Sequence, residues 1–388
     1  MARRVLHVAL NGVTGRMGYR QHLVRSLLAI REQGGVPLAD GGIVYPEPVL
    51  VGRSEERLRE IAERHGLPRW STNVDDVLSD PGVEVYFDTL VTSARVASLG
   101  KAIAAGKHVY TEKPVADSLD GAVALASAAR EAGVISGVVQ DKLFLPGVIK
   151  LRRLVREGFF GRILSVRLEF GYWVFEGDEI PAQRPSWNYR AADGGGIVLD
   201  MFPHWSYLLE DLFGPVTAVY ARQATHVPLR WDEAGAPYDV TAGDAAYAVL
   251  ELPGGVMASV NASWAVRVNR RELLEVQVDG THGSAVAGLR HCAVQPRAVT
   301  PRAVWNPDLP DPVDYPAQWS DVPDNTEFDN GFKVQWEQFL RAVAEGTPLR
   351  WDLAEGARGV QLAALALRSS AEGRRVDVPP LETSAGAG

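Results

Sequence analysis

Glycines at 12, 15 and 18 stand where this chain could meet a phosphate. They lie in Leu10-Asn11-Gly12-Val13-Thr14-Gly15-Arg16-Met17-Gly18, directly after an apolar run, and a helix is expected to open behind them. In such a loop Gly12 turns the chain and Gly15 lets the backbone approach a pyrophosphate, while the helix N-terminus supplies amide dipoles for the anion. Thr14, Arg16 and Met17 share the loop and are read with it as cofactor contacts. The end of the second apolar run reads Val51-Gly52-Arg53-Ser54. An NAD site carries a carboxylate there for the ribose hydroxyls. Gly52, Arg53 and Ser54 suit a 2′-phosphate instead, with Arg16 as a second charge, so NADP is favoured and NAD is the alternative. Lysine is scarce, six residues against 34 arginines. An ammonium can shift its pKa and move a proton where a guanidinium cannot, which singles out positions such as Lys113 and Lys142. Asp200 and His204 are spaced to share one face of a helix, and an imidazole titrates near neutrality.

The elements that must position these groups fall into two patterns. Residues 4–10 read as a buried parallel strand, 16–33 as a helix, 49–52 as a second strand and 54–66 as an amphipathic helix ending at Gly66. Strands at 83–90, 108–113 and 134–139 alternate with helices that end at Gly106 and Gly133. This alternation predicts a Rossmann-type, doubly wound parallel sheet over residues 1–145. The glycine- and proline-rich stretch 34–48 reads as an excursion rather than an element. Past residue 145 alternating runs at 162–174, 216–223, 244–252, 256–266, 272–279 and 284–288 predict an open, mostly antiparallel sheet with one apolar face. Helices near 147–158, 196–212, 331–345 and 352–371 would cover it, giving a second α/β domain over 146–380 whose last helix returns to the first. Residues 293–327 read as an irregular excursion and 381–388 as a disordered tail.

Bulk properties narrow the class. At 388 residues, 46% hydrophobic and 23% charged, the chain has the length and composition of a two-domain globular protein. A net charge of −8 argues against nucleic acid as its main partner. The one cysteine, Cys292, excludes an internal disulfide and a multi-thiolate metal site, and no metal is expected. No apolar run approaches the roughly 20 residues of a membrane span, and the opening residues do not read as a secretory signal. A cytoplasmic location is expected.

Two motifs then point to a family. Gly106-Lys107-His108-Val109-Tyr110-Thr111-Glu112-Lys113-Pro114 resembles the G-K-H-V-x-x-E-K-P segment of the glucose–fructose oxidoreductase / inositol dehydrogenase (Gfo/Idh/MocA) family. Gly194-Gly195-Gly196-Ile197-Val198-Leu199-Asp200-Met201-Phe202-Pro203-His204 resembles its G-G-G-x-x-x-D-x-x-x-H segment. Residues 158–163, 278–286 and 331–376 are similar to later landmarks, so the resemblance spans essentially the whole chain in order. It implies a nicotinamide-dependent oxidoreductase that moves a hydride between NAD(P) and a secondary alcohol or ketone of a sugar, cyclitol or related polyol. It also implies Lys113, Asp200 and His204 as the catalytic trio, Glu112 and Pro114 positioning the lysine and cofactor, Thr89 near the nicotinamide, and a homo-oligomer, dimer or tetramer, built through the second domain's sheet. The chemistry is consistent: a leaving hydride requires a group to take the hydroxyl proton, and Lys113 closes a strand at the sheet edge where ligands bind in open α/β folds.

The chain also departs from the pattern. The family's T-P-x-x-x-H turn is replaced by Thr89-Leu90-Val91-Thr92-Ser93-Ala94-Arg95. Lys142 stands where an arginine is commoner and either reaches substrate or pairs with Asp141; Tyr207 stands where an aspartate is frequent. Tyr172, Trp187 and Asn188 have the types to stack on a sugar face and read hydroxyls, with plain packing as the other reading. Two other activities stay open at this point: glycoside cleavage through transient oxidation by a tightly held nicotinamide, and a non-catalytic nucleotide sensor.

Overall fold

The computed structural model describes residues 3–267, 270–302, 306–310 and 313–381. The chain divides into two compact units, one formed by Met1–Asp141, Asp329–Gln361 and Pro380–Gly388, the other by Lys142–Phe328 and Leu362–Pro379. The expected disordered tail falls, apart from Leu381, outside the described residues.

The first unit is built on β1 (Arg3–Asn11), β2 (Val36–Pro37), β3 (Ile43–Val51), β4 (Trp70–Ser71), β5 (Val83–Asp88), β6 (His108–Thr111) and β7 (Ser136–Val138). Among the described residues the sheet runs β2-β3-β1-β5-β6-β7, with β4 also on β3. Apart from the antiparallel β2–β3 pair, all pairings are parallel. Counting only the parallel strands, the order is 4-3-1-5-6-7 and reverses direction between β1 and β5, which is the Rossmann arrangement. Both faces are covered, and alternate residues of each strand serve opposite layers. Leu6, Val8 and Leu10 of β1 pack with Leu23, Leu27 and Ile30, while Ala9 belongs to a layer with Leu99, Ile103 and Leu125. Burial on both sides is why these strands read as unbroken apolar runs.

Here the stretch expected to be an excursion is largely strand. Ile43–Val51 is extended along its whole length, and β2 forms a short hairpin arm with its start. Pro46 and Pro48 fit because of where their missing N–H groups would point. Even-numbered residues of β3 direct N–H away from β1, as Leu50 does in donating to Arg69 O at 3.0 Å. The two prolines sit between the stretch paired with β2 and the stretch paired with β4, where nothing requires a donor. The first helix differs as well: Gly18–Leu28 is wound as a π-helix with i→i+5 hydrogen bonds, followed by α-helical Ala29–Glu32. The helix Glu55–His65 lies where expected, with Ser54 at its N-cap and Gly66 left-handed at φ 61°. The short strand β4 and the helix Val74–Ser79 had no periodicity long enough to announce them.

The motif residues Lys107 and His108 are structural. The ammonium of Lys107 is buried and donates to Asp80 O at 2.7 Å and Val83 O at 2.8 Å, and His108 Nδ1 accepts from Ile135 N at 2.9 Å. They tie the start of β6 to its neighbours on either side.

The second unit is organised by a large sheet of β8 (Ile163–Gly171), β9 (Ala218–Ala224), β12 (Ala245–Leu252), β13 (Val256–Ser263), β14 (Leu274–Gly280), β15 (Gly283–Ala287), β16 (Cys292–Pro296), β17 (Ser320–Asp321) and β18 (Val376–Asp377), with β10 (Leu229–Trp231) and β11 (Pro237–Asp239) forming a separate ribbon. Its order is 17-16-15-14-8-13-12-9-18, antiparallel except for β8 beside β13. Residues 293–296, expected to be irregular, are thus strand β16. One face is apolar and packs on the helices Pro146–Arg156 and Ile197–Phe213, with Phe170 and Trp205 in edge contact at 5.6 Å. The other face is open, and Tyr220, Tyr247, Val249 and Met257 stand exposed on it.

Candidate active site

At the carboxyl end of the first sheet, the predicted loop residues converge. Gly12 has φ 87° and donates its N–H to Val51 O at 3.1 Å. A Cβ on Gly12 would lie 2.5 Å from Thr89 Oγ1, and one on Gly18 would lie 2.6 Å from Gly12 O, so neither position accepts a side chain. Gly15 N bonds to Gly12 O at 3.0 Å, and Gly15 itself is exposed. Thr89 closes the arrangement by donating both N–H and Oγ1–H to Asn11 O, each at 3.0 Å. Gly52 lies beside Thr14, whose methyl would be 3.4 Å from a Cβ on that glycine. Arg16 and Met17 form the first, α-helical residues of the helix, ahead of its π-wound stretch. Arg16 and Arg53 are exposed and make no hydrogen bond or ion pair among the described residues.

The caps also separate the helices. Ser54, Asn73 and Ser118 cap the helices at 55–65, 74–79 and 119–131. The helices at 18–28 and 92–104, which follow β1 and β5, have no side-chain cap and no acidic residue in the first turn, among the described residues. Those two starts flank the point where strand order reverses, and their uncapped amide groups suit an anion.

Behind β6 lies a buried charged turn. Glu112 is 8% exposed, meets His22 Nε2 through Oε1 at 2.9 Å and accepts the Lys113 N–H on Oε2 at 3.2 Å. Burial opposes its charge, but the hydrogen bond from His22 and the nearby cations of Lys113 and Arg95 outweigh it and hold the carboxyl below the usual carboxylate range. The Lys113–Pro114 bond is cis. Arg95, 3% exposed, reaches three places at once: Asp88 Oδ1 at 3.4 Å, Leu90 O at 2.6 Å and Pro114 O. Sequence reading missed His22 because its partners lie 90 and 314 residues along the chain, and Arg95 because its contacts are to backbone carbonyls and a buried carboxylate that no spacing pattern marks.

In the second unit the triple glycine is a packing requirement. Gly194 and Gly196 have φ 74° and 112°, and a Cβ on Gly195 would lie 2.5 Å from Trp187 O. The turn delivers the helix Ile197–Phe213, which carries Asp200, His204 and Tyr207. Asp200 is ion-paired to Arg184 Nη2 at 2.6 Å, and the Arg184 guanidinium lies 4.1 Å over the Trp264 ring. His204 is 4% exposed and sits between two partners: Lys142 Nζ is 3.2 Å from Nε2 and Tyr207 Oη is 2.6 Å from Nδ1. An ammonium only donates, so Nε2 accepts and the ring proton lies on Nδ1, given to the phenol oxygen. That oxygen also takes the Lys142 N–H at 3.3 Å. Of the expected substrate contacts, Tyr172 is half-buried and Trp187 is 45% exposed, whereas Asn188 is buried and gives its amide to Pro185 O at 3.1 Å.

Residues 7–140 match the family model described as an oxidoreductase family with an NAD-binding Rossmann fold, and residues 148–286 match the GFO/IDH/MocA C-terminal domain. A D-xylose dehydrogenase from Paenarthrobacter nicotinovorans is 59% identical over 381 residues, 97% of this chain and 98% of that protein. The chain belongs to the GFO/IDH/MocA oxidoreductase family. The fold is shared with a levoglucosan dehydrogenase solved in complex with NADH, at TM-score 0.80 and 22% identity over 97% of this chain and all of that one. An aldose-aldose oxidoreductase from Caulobacter crescentus follows at TM-score 0.74 and 20% identity, over 96% of this chain and all of that one. Within this family the departures acquire a physical account. Arg95 braces the turn after β5 in place of the T-P-x-x-x-H residues, and Tyr207 takes the Nδ1 side of His204 where an aspartate is frequent. The residues at the carboxyl edge of the first sheet fit a dinucleotide: two glycines that cannot carry side chains, an exposed third, and uncapped helix starts.

The Glu112 environment has a pH signature. A carboxyl held below its ordinary range adds stability that is present above the unfolded-chain pKa of about 4.3 and is lost as pH falls through the folded value. Unfolding of wild type and Glu112→Gln by urea is expected to differ most near pH 7 and to converge as pH falls below about 4. A gap independent of pH would show that the charge of Glu112 contributes nothing.

Proposed function

We propose that this protein is a sugar dehydrogenase that oxidises an aldose of the D-xylose kind. The observation carrying this reading is the near full-length, 59% identity to a D-xylose dehydrogenase. A cyclic aldose carries an oxidisable hydroxyl on its anomeric carbon, and loss of a hydride from that carbon and a proton from its oxygen gives a lactone. The bound nicotinamide supplies the hydride acceptor.

The chain's own residues handle position and proton. Lys113 holds the reacting oxygen through its ammonium, and His204 takes the proton on Nε2 as the Lys142 ammonium leaves that nitrogen for the substrate. Lys142, on the Nε2 side of the imidazole, presents its cation to the substrate oxygens, and Tyr207 keeps the ring in one tautomer. Asp200, fixed by Arg184, reads a neighbouring hydroxyl rather than acting as a loose base. Tyr172 and Trp187 offer ring faces for the sugar, and Asn188 supports the triple-glycine turn through its backbone carbonyl, which accepts Gly196 N at 2.8 Å.

NADP is the favoured cofactor. The end of β3 has Arg53 instead of a carboxylate, and that guanidinium is exposed and uncommitted among the described residues. The open face of the second sheet, where Val249 faces Tyr220 across the strands, is covered by a second copy of the chain, giving a dimer or tetramer. The working location is the cytoplasm; no helix among the described residues is long and apolar enough to cross a membrane.

Lys113→Ala is expected to keep the fold and nucleotide affinity and to lower turnover with D-xylose about 100-fold or more, as for a lost group that holds and stabilises the reacting oxygen. Turnover near wild type would remove the lysine from the mechanism. Arg53→Asp is expected to weaken NADP far more than NAD in calorimetric titrations; equal weakening of both would sink the 2′-phosphate assignment. Light scattering at micromolar concentration is expected to return a dimer or tetramer, and a monomer would remove the sheet-face interface.

A further inference from the structure

Three buried side chains from distant parts of the first unit form one hydrogen-bonded line. Trp336, on the helix Gly331–Glu345, donates its indole N–H to His22 Nδ1 at 3.0 Å. His22, 0% exposed, meets Glu112 Oε1 through Nε2 at 2.9 Å, and Glu112 Oε2 takes the backbone N–H of Lys113 at 3.2 Å. An indole nitrogen only donates, so Nδ1 is the acceptor and the ring proton lies on Nε2, pointed at the carboxylate. The direction of each bond is therefore fixed. A ring protonated on both nitrogens would set two N–H groups against each other at Nδ1.

The imidazole has no freedom to turn. Phe87 lies 4.2 Å away between ring centroids, Phe332 meets it edge-on at 5.3 Å, and Trp336 closes the other side at 6.2 Å. His22 is carried on the π-wound segment Gly18–Leu28, and π-winding is frequent at functional sites. A buried carboxylate is costly unless each oxygen is bonded, and here one oxygen is bonded by His22 and the other by Lys113 N–H.

We propose that His22, set in one tautomer by Trp336, is a positioning residue for Lys113: it holds the Glu112 carboxylate still, and Glu112 fixes the backbone that presents the lysine. This rests on the role given to Lys113 above. Neither residue of the pair behind Glu112 touches the reacting atoms, so its effect is on the placement of the lysine and not on the binding of either ligand.

The test uses the full-length enzyme with its nucleotide and D-xylose. His22→Leu removes both bonds at similar bulk, His22→Gln keeps an N–H donor toward Glu112, and Trp336→Phe keeps the ring packing while removing the donor to His22. For His22→Leu, kcat is expected to fall on the order of tenfold or more, with sugar KM and calorimetric nucleotide Kd within about twofold of wild type. His22→Gln is expected to recover most of that loss. Histidine ¹⁵N spectra are expected to show His22 with a bare Nδ1 in wild type and a mixture of tautomers in Trp336→Phe, together with a lower kcat. Unchanged kcat in His22→Leu, an equal loss in the Leu and Gln variants, or collapse of nucleotide affinity together with kcat would each overturn the inference. If His22→Leu does not fold, Trp336→Phe decides, and wild-type kcat in that variant overturns it. Lys113→Ala in the same assay separates the two readings. Full turnover there removes the lysine's role itself, whereas an inactive Lys113→Ala beside an unaffected His22→Leu removes only the positioning.

Discussion

The carbonyl of Asn11 receives two hydrogen bonds from Thr89, one from the backbone and one from the hydroxyl, and the front of the first sheet depends on that double contact. It holds the ends of β1 and β5 together at the point where strand order reverses. At that spacing Gly12 has no room for a side chain, the backbone passes close to the first helix at Gly18, and no side chain among the described residues caps the start of that helix. A crevice outside the carboxyl ends of parallel strands, at a reversal of order, is where ligands bind in open α/β folds. The glycines therefore serve geometry before they serve a ligand.

Much of this was legible in the sequence, and the limit has a physical cause. Apolar runs announced the parallel strands because helices cover both faces, and Gly66, Gly106 and Gly133 marked helix ends because each adopts a left-handed backbone. The Asp200/His204 spacing and the EKP turn were visible because they are local. What stayed hidden depends on contacts that only the folded chain makes. Pro46 and Pro48 argued against a strand until the gap between β2 and β4 showed that no donor was needed there. Arg95 looked like one of many surface arginines, yet its fork joins β5, the turn at Leu90 and the turn at Pro114. His22 became intelligible only with Trp336, 314 residues away.

The second unit divides labour between its two kinds of cation. Its guanidinium groups serve as flat, permanently charged plates. Arg184 stacks on Trp264 while pairing with Asp200, and Arg230, wholly buried, lies 4.1 Å over Tyr189 and donates to the carbonyls of Val174 and Phe175. Asp200 is thereby held against a rigid aromatic frame. At the imidazole itself the chain uses a lysine, the one cation type there able to give up a proton.

The proline-bearing stretch of β3 has a further consequence for how copies of this molecule can meet. An unpaired strand edge is ordinarily a template on which another chain can add, and the outer edge of β3 between its two short partners is such an edge by position. Pro46 and Pro48 remove its donors at alternate residues, and Arg31 occupies the carbonyl of Pro46 at 3.2 Å. A passing strand finds neither ladder there. The first sheet is thus protected against runaway strand addition on that flank by composition alone, which leaves crowded or freshly synthesised molecules one less route to misassembly.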